Sequence, residues 1–210
     1  MSPRPRKASD EEVFAAAQRA MMRLGPAQLT LGEIAAEAGL TAGALVQRFG
    51  SKRGLLLALM REAAAGAGGM VTGLRAAHPS PLAALRAYAD CMARMGESPA
   101  MLAHHLAYLQ IDLTDPDLRR HLRTMARATR DALEALLAEA VAAGELARAT
   151  DTAALARAVQ VTLSGSLMTW AHYQEGTAAR WLRHDLEALL APLRGPEPAP
   201  LSRKRARGAR

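Results

Sequence analysis

The chain is punctuated as helices almost from end to end, and this punctuation constrains its fold more than any other feature. Ser9-Asp10-Glu11-Glu12 sets a capping Ser three residues before a Glu, an arrangement that satisfies two orphan N–H groups at a helix start. Val13, Phe14, Ala17, Met21 and Leu24 then recur at helical spacing, and Gly25-Pro26 stops the run. Thr30-Leu31-Gly32-Glu33 repeats the box before a short helix with Leu31, Ile34, Ala35 and Ala38 inward, stopped by Gly39. Thr41 caps a third helix with Leu45 and Phe49 inward, closed by Gly50, and Ser51 caps a fourth with Leu55, Leu56, Leu59 and Met60 inward. Ser80-Pro81, Ser98-Pro99 and Asp115-Pro116 each place a cap before Pro at the first helical position, where its missing N–H would be unpaired anyway. The last of these opens a long helix ending near Gly144; Asp151 opens another reaching about Glu175-Gly176, and a final one spans about Thr177 to Leu193. Between Gly66 and Gly73 four glycines leave three readings open: a continuous helix, a bend or a break. Pro196, Pro198 and Pro200 forbid helix beyond that.

Composition agrees. Half the residues are apolar, aromatics are 3%, and Ala and Leu dominate, so helix formers outnumber residues that favour strands. The expected fold class is all-α: an N-terminal three-helix domain over residues 8–65, a larger helical domain over 66–195, and a basic disordered tail over 196–210. The net charge of +7 sits at the two ends. Arg4, Arg6 and Lys7 lie at one; Arg203, Lys204, Arg205, Arg207 and Arg210 against Glu197 lie at the other, around a nearly neutral body. Basic ends favour polyanions such as nucleic acid, by neutralising phosphates and releasing counterions; a solubilising tail is the plainer alternative for the C-terminus. Cys91 is alone, which forbids an intramolecular disulfide and suits a reducing cytoplasm. No apolar run has a membrane-spanning length, and the basic N-terminus lacks the apolar stretch of a secretory signal.

The most specific pattern is a helix-turn-helix. Glu33–Ala38 reads as a short positioning helix, Gly39-Leu40 as the turn, and Thr41–Phe49 as the helix that enters a major groove. Gly39 supplies a left-handed conformation, Leu40 an apolar plug, and Ala35 the small contact that two crossing helices need. This stretch resembles the TetR family of bacterial regulators through Thr30, Ile34-Ala35, Ala38-Gly39-Leu40-Thr41, Gly43, Leu45, Phe49, Ser51-Lys52 and Leu55-Leu56. The resemblance covers about residues 8–65. It is looser at Leu136-Leu137, Ala143-Gly144-Glu145-Leu146, Asp151, Leu155-Ala156, Gly165 and Trp170. It implies that Thr30 and Lys52 contact backbone phosphate while Thr41, Ala42, Gly43 and Gln47 face bases. Among these Gln47 has the chemistry to pair with adenine through both its amide atoms, and Ala42 suits a thymine methyl. The family commonly has a phosphate-touching Tyr where this chain has Val46, which cannot donate a hydrogen bond. Arg48 is expected to supply that contact instead, aided by Lys52 and the Arg4–Lys7 arm.

The C-terminal half reads as a dimerisation and ligand-binding body. Leu155, Val159 and Leu163 mark one apolar stripe; Ala158, Val161, Gly165 and Met168 mark another, so that helix is buried on both sides. With Trp181, Leu182, Leu186, Leu189 and Leu190 it would form the four-helix dimer interface that the resemblance implies. The expected interface residues are Val161, Gly165, Met168, Trp181, Leu186 and Leu189. An adaptable, Met-rich pocket is expected around Met92, Met95, His104, Tyr108, Met125 and Trp170, with ordinary core as the alternative. Adjacent His104 and His105 point to different faces, and no metal or cofactor is expected. Arg119, Arg123, Arg127 and Arg130 share one helical face, a solvated ridge or a site for an anionic ligand.

Enzyme motifs are missing. There is no phosphate-binding Gly-x-x-x-x-Gly-Lys-Ser/Thr and no His-Glu-x-x-His, and Ser164-Gly165-Ser166 lacks the flanking glycines of a nucleophile elbow. The chain therefore reads as a cytoplasmic, dimeric, ligand-responsive repressor of a palindromic operator, with no membrane partner. A basic-tailed DNA-binding protein without effector and a helical small-molecule carrier are the alternatives.

Overall fold

The structure, a computed structural model, describes residues 8–194. The Arg4–Lys7 arm and the basic tail lie outside the described residues. Among those described are ten α-helices and no strand: α1 (Asp10–Gln28), α2 (Leu31–Ala38), α3 (Ala42–Phe49), α4 (Lys52–Ala65), α5 (Gly69–Ala77), α6 (Pro81–Ala93), α7 (Pro99–Thr114), α8 (Pro116–Ala142), α9 (Thr152–Tyr173) and α10 (Ala178–Leu190). The caps explain the starts. Ser9 accepts from the N–H of Glu12, whose carboxylate accepts from Ser9 N at 2.8 Å, so the first box closes in both directions. Asp115 accepts from the N–H groups of Asp117 and Leu118 at the head of α8.

Two boundaries differ from expectation, and a third that the sequence left open takes one of its readings. The second box closes on one side only: Thr30 accepts from Glu33 N at 3.1 Å, but the Glu33 carboxylate is turned toward Arg23, 3.7 Å away. Gly25 leaves helical geometry with φ 68°, yet the chain resumes for one more turn to Gln28. The His104 ring explains the glycine, because a Cβ there would lie 2.8 Å from it. In the Gly66–Gly73 stretch the helix breaks: α4 and α5 meet at a 45° bend, with Gly68 left-handed at φ 88°. A Cβ on Gly68 would come within 3.2 Å of the Ala128 carbonyl, so this corner is pressed against α8.

Two apolar cores result. Val13, Phe14, Ala17, Leu29, Ile34, Ala35, Leu45, Leu55 and Leu59 form the first, which unites α1 to α4 into a head. Each fully buried Leu or Ile contributes roughly 1.5–3 kcal/mol through removal of apolar surface from water. The second core joins α5, α6, α8, α9 and α10 into a body around Leu85, Leu133, Leu137, Leu163, Leu182 and Leu186. Helix α7 belongs to both: Leu102 packs in the body, while Tyr108 is buried in the head core and Ile111 lies against it.

One close approach sets the position of α3. A Cβ on Gly54, in the first turn of α4, would lie 2.0 Å from the Phe49 carbonyl oxygen that ends α3. That atom is backbone and cannot swing aside. Gly54→Ala is therefore expected to lower stability by about 1–3 kcal/mol, the usual range for overpacking, despite alanine's better helix propensity; thermal or urea unfolding measures it.

Candidate nucleic-acid interface

Helices α2 and α3 are joined by a turn with defined hydrogen bonding. Gly39 takes φ 67°, ψ 32°; Leu40 N donates to Ala35 O at 2.8 Å and Gly39 N to Ala36 O at 3.3 Å. This pair of bonds satisfies carbonyls that the end of α2 would otherwise leave free, and Leu40 folds back against the head core. On α3, Leu45 is fully buried and Phe49 half-buried, with Phe49 set 6.0 Å from Phe14. Ala42, Gly43, Val46 and Gln47 are all exposed on the opposite side. A Cβ at Gly43 would meet nothing closer than the Thr41 hydroxyl at 4.0 Å, so the fold does not require glycine there. Its bareness matters only to something that approaches from outside.

Thr30 and Thr41 are exposed at the starts of α2 and α3. Each hydroxyl oxygen accepts a backbone N–H, from Glu33 at 3.1 Å and Ala44 at 3.2 Å. Their O–H protons remain to donate outward, beside the partial positive charge of a helix N-terminus, a combination suited to phosphate.

The two basic residues next to the motif have internal duties. Lys52 donates to Pro26 O at 3.0 Å and Leu29 O at 2.7 Å, tying α4 to the end of α1 and leaving one of its three N–H donors. Arg48 donates to Ala8 O at 2.7 Å, pairs with Asp10 and lies over the Phe49 ring. Its guanidinium thus binds the start of α1 to the end of α3 through two of its five N–H donors, in the place where Arg48 was expected to stand in for the missing Tyr. Val46 is 48% exposed and offers only apolar surface.

The six expected pocket residues are divided between the body and the head. Met92 and Met95 pack beside the body core, and Trp170 is buried in it with its Nε1 donating to Gly176 O at 3.3 Å. Met125 is half-buried on α8. His104 faces the head instead, with Nδ1 3.0 Å from Met22 O. Tyr108 is buried in the head core, where its hydroxyl has no hydrogen-bond partner; burial pushes its pKa up to about 12. Both residues fell to α7's double membership, which a linear reading assigns wholly to the body.

Of the expected interface residues, Val161 is 65% exposed, Met168 46%, and Gly165 has open space beside it. Trp181 and Leu189 are half-buried, with the Trp181 ring stacked on Tyr173 at 5.6 Å. Leu186 is a correction: it is fully buried in its own core, because it lies on the side of α10 that packs inward with Leu182 and Leu190. Arg119, Arg123, Arg127 and Arg130 form an exposed ridge on α8, with Arg130 3.6 Å from Asp131.

Sequence reasoning missed the contacts between head and body. Arg53 Nε donates to Asp115 Oδ2 at 2.7 Å, and its NH2 to Asp115 Oδ1 at 3.0 Å and Asp117 Oδ2 at 2.8 Å. The Arg53 guanidinium holds the Asp115 carboxyl down to about 2, and both carboxylates keep Arg53 firmly protonated. Residues 62 positions apart carry no mutual signal in a single sequence. Gly54 did carry one, as a glycine inside the first turn of a helix.

A helix pair turned on a left-handed glycine, with the second helix bare on its outer side and carried on a helical body, defines a helix-turn-helix regulator of transcription. Residues 13–59 match the family described as bacterial regulatory proteins, tetR family, and residues 81–186 match the tetracyclin repressor-like C-terminal domain. The chain belongs to the TetR family of bacterial transcription regulators, whose members join a DNA-binding helix-turn-helix to a ligand-binding helical domain and are not enzymes. Its fold is similar to that of a TetR transcription regulator from Haloarcula marismortui, with TM-score 0.70, 19% identity, and 88% of this chain and 97% of that one covered. The TetR transcriptional regulator SCO0520 of Streptomyces coelicolor gives TM-score 0.67 at 25% identity, covering 90% of this chain and 100% of that one. SmeT, the repressor of the multidrug efflux pump SmeDEF of Stenotrophomonas maltophilia, gives 0.63 at 23% identity, covering 90% and 92%. No curated protein sequence matches significantly.

Because the Tyr108 hydroxyl is buried without a partner, Tyr108→Phe is expected to raise stability by about 1 kcal/mol. A fall in the unfolding midpoint would show instead that the hydroxyl makes a bond worth keeping.

Proposed function

We propose that the chain binds a palindromic operator as a homodimer, represses transcription from it, and is released by a small molecule held in the helical body. The observation that carries this reading is the bare outer face of α3, where Ala42, Gly43 and Gln47 stand exposed beside the Thr41 cap. Gln47 reads a base by hydrogen bonding through its amide, Gly43 admits close approach of the helix to the groove, and Thr30 and Thr41 hold phosphates. Lys52 adds a phosphate contact through its remaining donor.

Two-fold symmetry supports the dimer. One short recognition helix reads few bases, and a second copy doubles the site. The stripe of Val161, Gly165 and Met168 supplies a self-complementary apolar face for the partner's α9 and α10. The effector enters as a shift of population: it releases DNA only if it binds more tightly the conformer in which the two recognition helices are spaced wrongly for the operator. Met92 and Met95, half-buried against the body core, are the walls that such a ligand would displace. A cytoplasmic location, with the DNA, completes the reading.

Selection of bound fragments from the source genome, followed by footprinting, tests it. A single protected palindromic stretch is expected; diffuse, strongly salt-dependent protection would instead mark a nonspecific binder. On the selected fragment, Gln47→Ala is expected to cost about 1–3 kcal/mol and to relax discrimination at one base pair per half-site. Val161→Asp with Met168→Asp is expected to give a folded monomer by ultracentrifugation that has lost most operator affinity. A dimer surviving both changes would place the interface elsewhere.

A further inference from the structure

We propose that Arg53 is a positioning residue: by gripping Asp115 and Asp117 it fixes the angle at which the head sits on the body, and so where α3 is presented. The consequence for DNA rests on the operator-binding reading above; the grip itself does not. Three observations carry it.

The grip is directional. Arg53 meets both oxygens of Asp115, at 2.7 and 3.0 Å, and reaches Asp117 at 2.8 Å. A planar guanidinium bound at two oxygens of one carboxylate fixes orientation as well as distance. Asp115 is itself already ordered, because its Oδ1 accepts the N–H groups of Asp117 and Leu118 at 2.9 and 3.4 Å. The pair therefore orders few additional groups when it forms.

Between described residues, the other ties that join head to body are apolar packing and a single hydrogen bond, with no further ion pair. Tyr108 and Ile111 contact the head through apolar packing, which is non-directional and tolerates sliding. His104 Nδ1 meets Met22 O at the far end of α1. The other ion pairs between described residues join head to head or body to body.

The grip is transmitted directly to the recognition helix. Arg53 adjoins Gly54, whose α-carbon sits so close to the Phe49 carbonyl that α3 and the first turn of α4 move together. From the α7–α8 corner to the end of α3 the path is Asp115, Arg53, Gly54, Phe49. Each link in it is an ion pair, a covalent bond or a close backbone contact.

The test uses the full chain. Nitroxide labels at Gln18→Cys and Ala135→Cys, both exposed, in a Cys91→Ser background report the head-to-body distance when a labelled copy is diluted into unlabelled chain. Arg53→Met is expected to broaden the distance distribution. Asp115→Asn with Asp117→Asn, which keeps an acceptor oxygen for the α8 cap, is expected to broaden it equally. Combining all three changes should broaden it no further, and Arg53→Lys, which keeps charge but loses the fork, should fall between. On the selected operator fragment each set is expected to change Kd about fivefold or more, in the same direction and with an unchanged salt slope. An unchanged distance distribution in folded variants overturns the proposal. So does a salt slope reduced by about one in Arg53→Met with tighter binding by the Asn variants, which would make Arg53 a phosphate contact that the carboxylates mask. If no operator fragment is recovered, the distance measurement alone decides, so failure of the grip and failure of the operator reading are told apart.

Discussion

The corner between α3 and α4 is the constraint on which the rest of this structure depends. The Gly54 α-carbon stands where any side chain would strike the Phe49 carbonyl, so the two helices meet backbone to backbone. Leu45 and Leu55, both fully buried, pack into the same core on either side of that corner. Burial of these side chains supplies the stabilisation, and the backbone contact supplies the register. A recognition helix of eight residues is marginal alone and takes its position from what it packs against.

Helix α7 gives that head its connection to the body. Its first half belongs to the body core through Leu102, and its second half inserts Tyr108 into the head. The insertion carries a cost, since the Tyr108 hydroxyl loses water and gains no partner. Gly25 accommodates the same helix one layer away, by leaving room for the His104 ring. The joint thus combines a favourable ion pair at one end with an unsatisfied polar group near its middle.

Basic residues around the motif serve the fold directly. Lys52 closes the α1–α2 corner through two backbone carbonyls, and Arg48 holds Asp10 and the Ala8 carbonyl. Both keep positive charge beside the exposed face of α3, and both retain N–H donors beyond those spent on the fold. The hydroxyls of Thr30 and Thr41 follow the same economy, each using its oxygen for a cap and keeping its proton for a partner.

Local rules made much of this legible in the sequence. Caps, stops and helical spacing located the helix starts other than that of α5 to within a few residues, because a cap and its N–H partner lie two or three positions apart. The Gly39-Leu40 turn and the inward set Ile34, Ala35 and Leu45 were readable for the same reason, and so was the family. What the tertiary structure alone decided were the relations between residues far apart: the grip of Arg53 on Asp115, the Arg48 contact with Ala8, the burial of Leu186, and the transfer of His104 and Tyr108 from an expected pocket to the head. An amphipathic helix shows in its sequence which side is apolar, but not which neighbour will cover it. That choice is made by the summed packing of α1 to α10 together, and no window along one chain contains it.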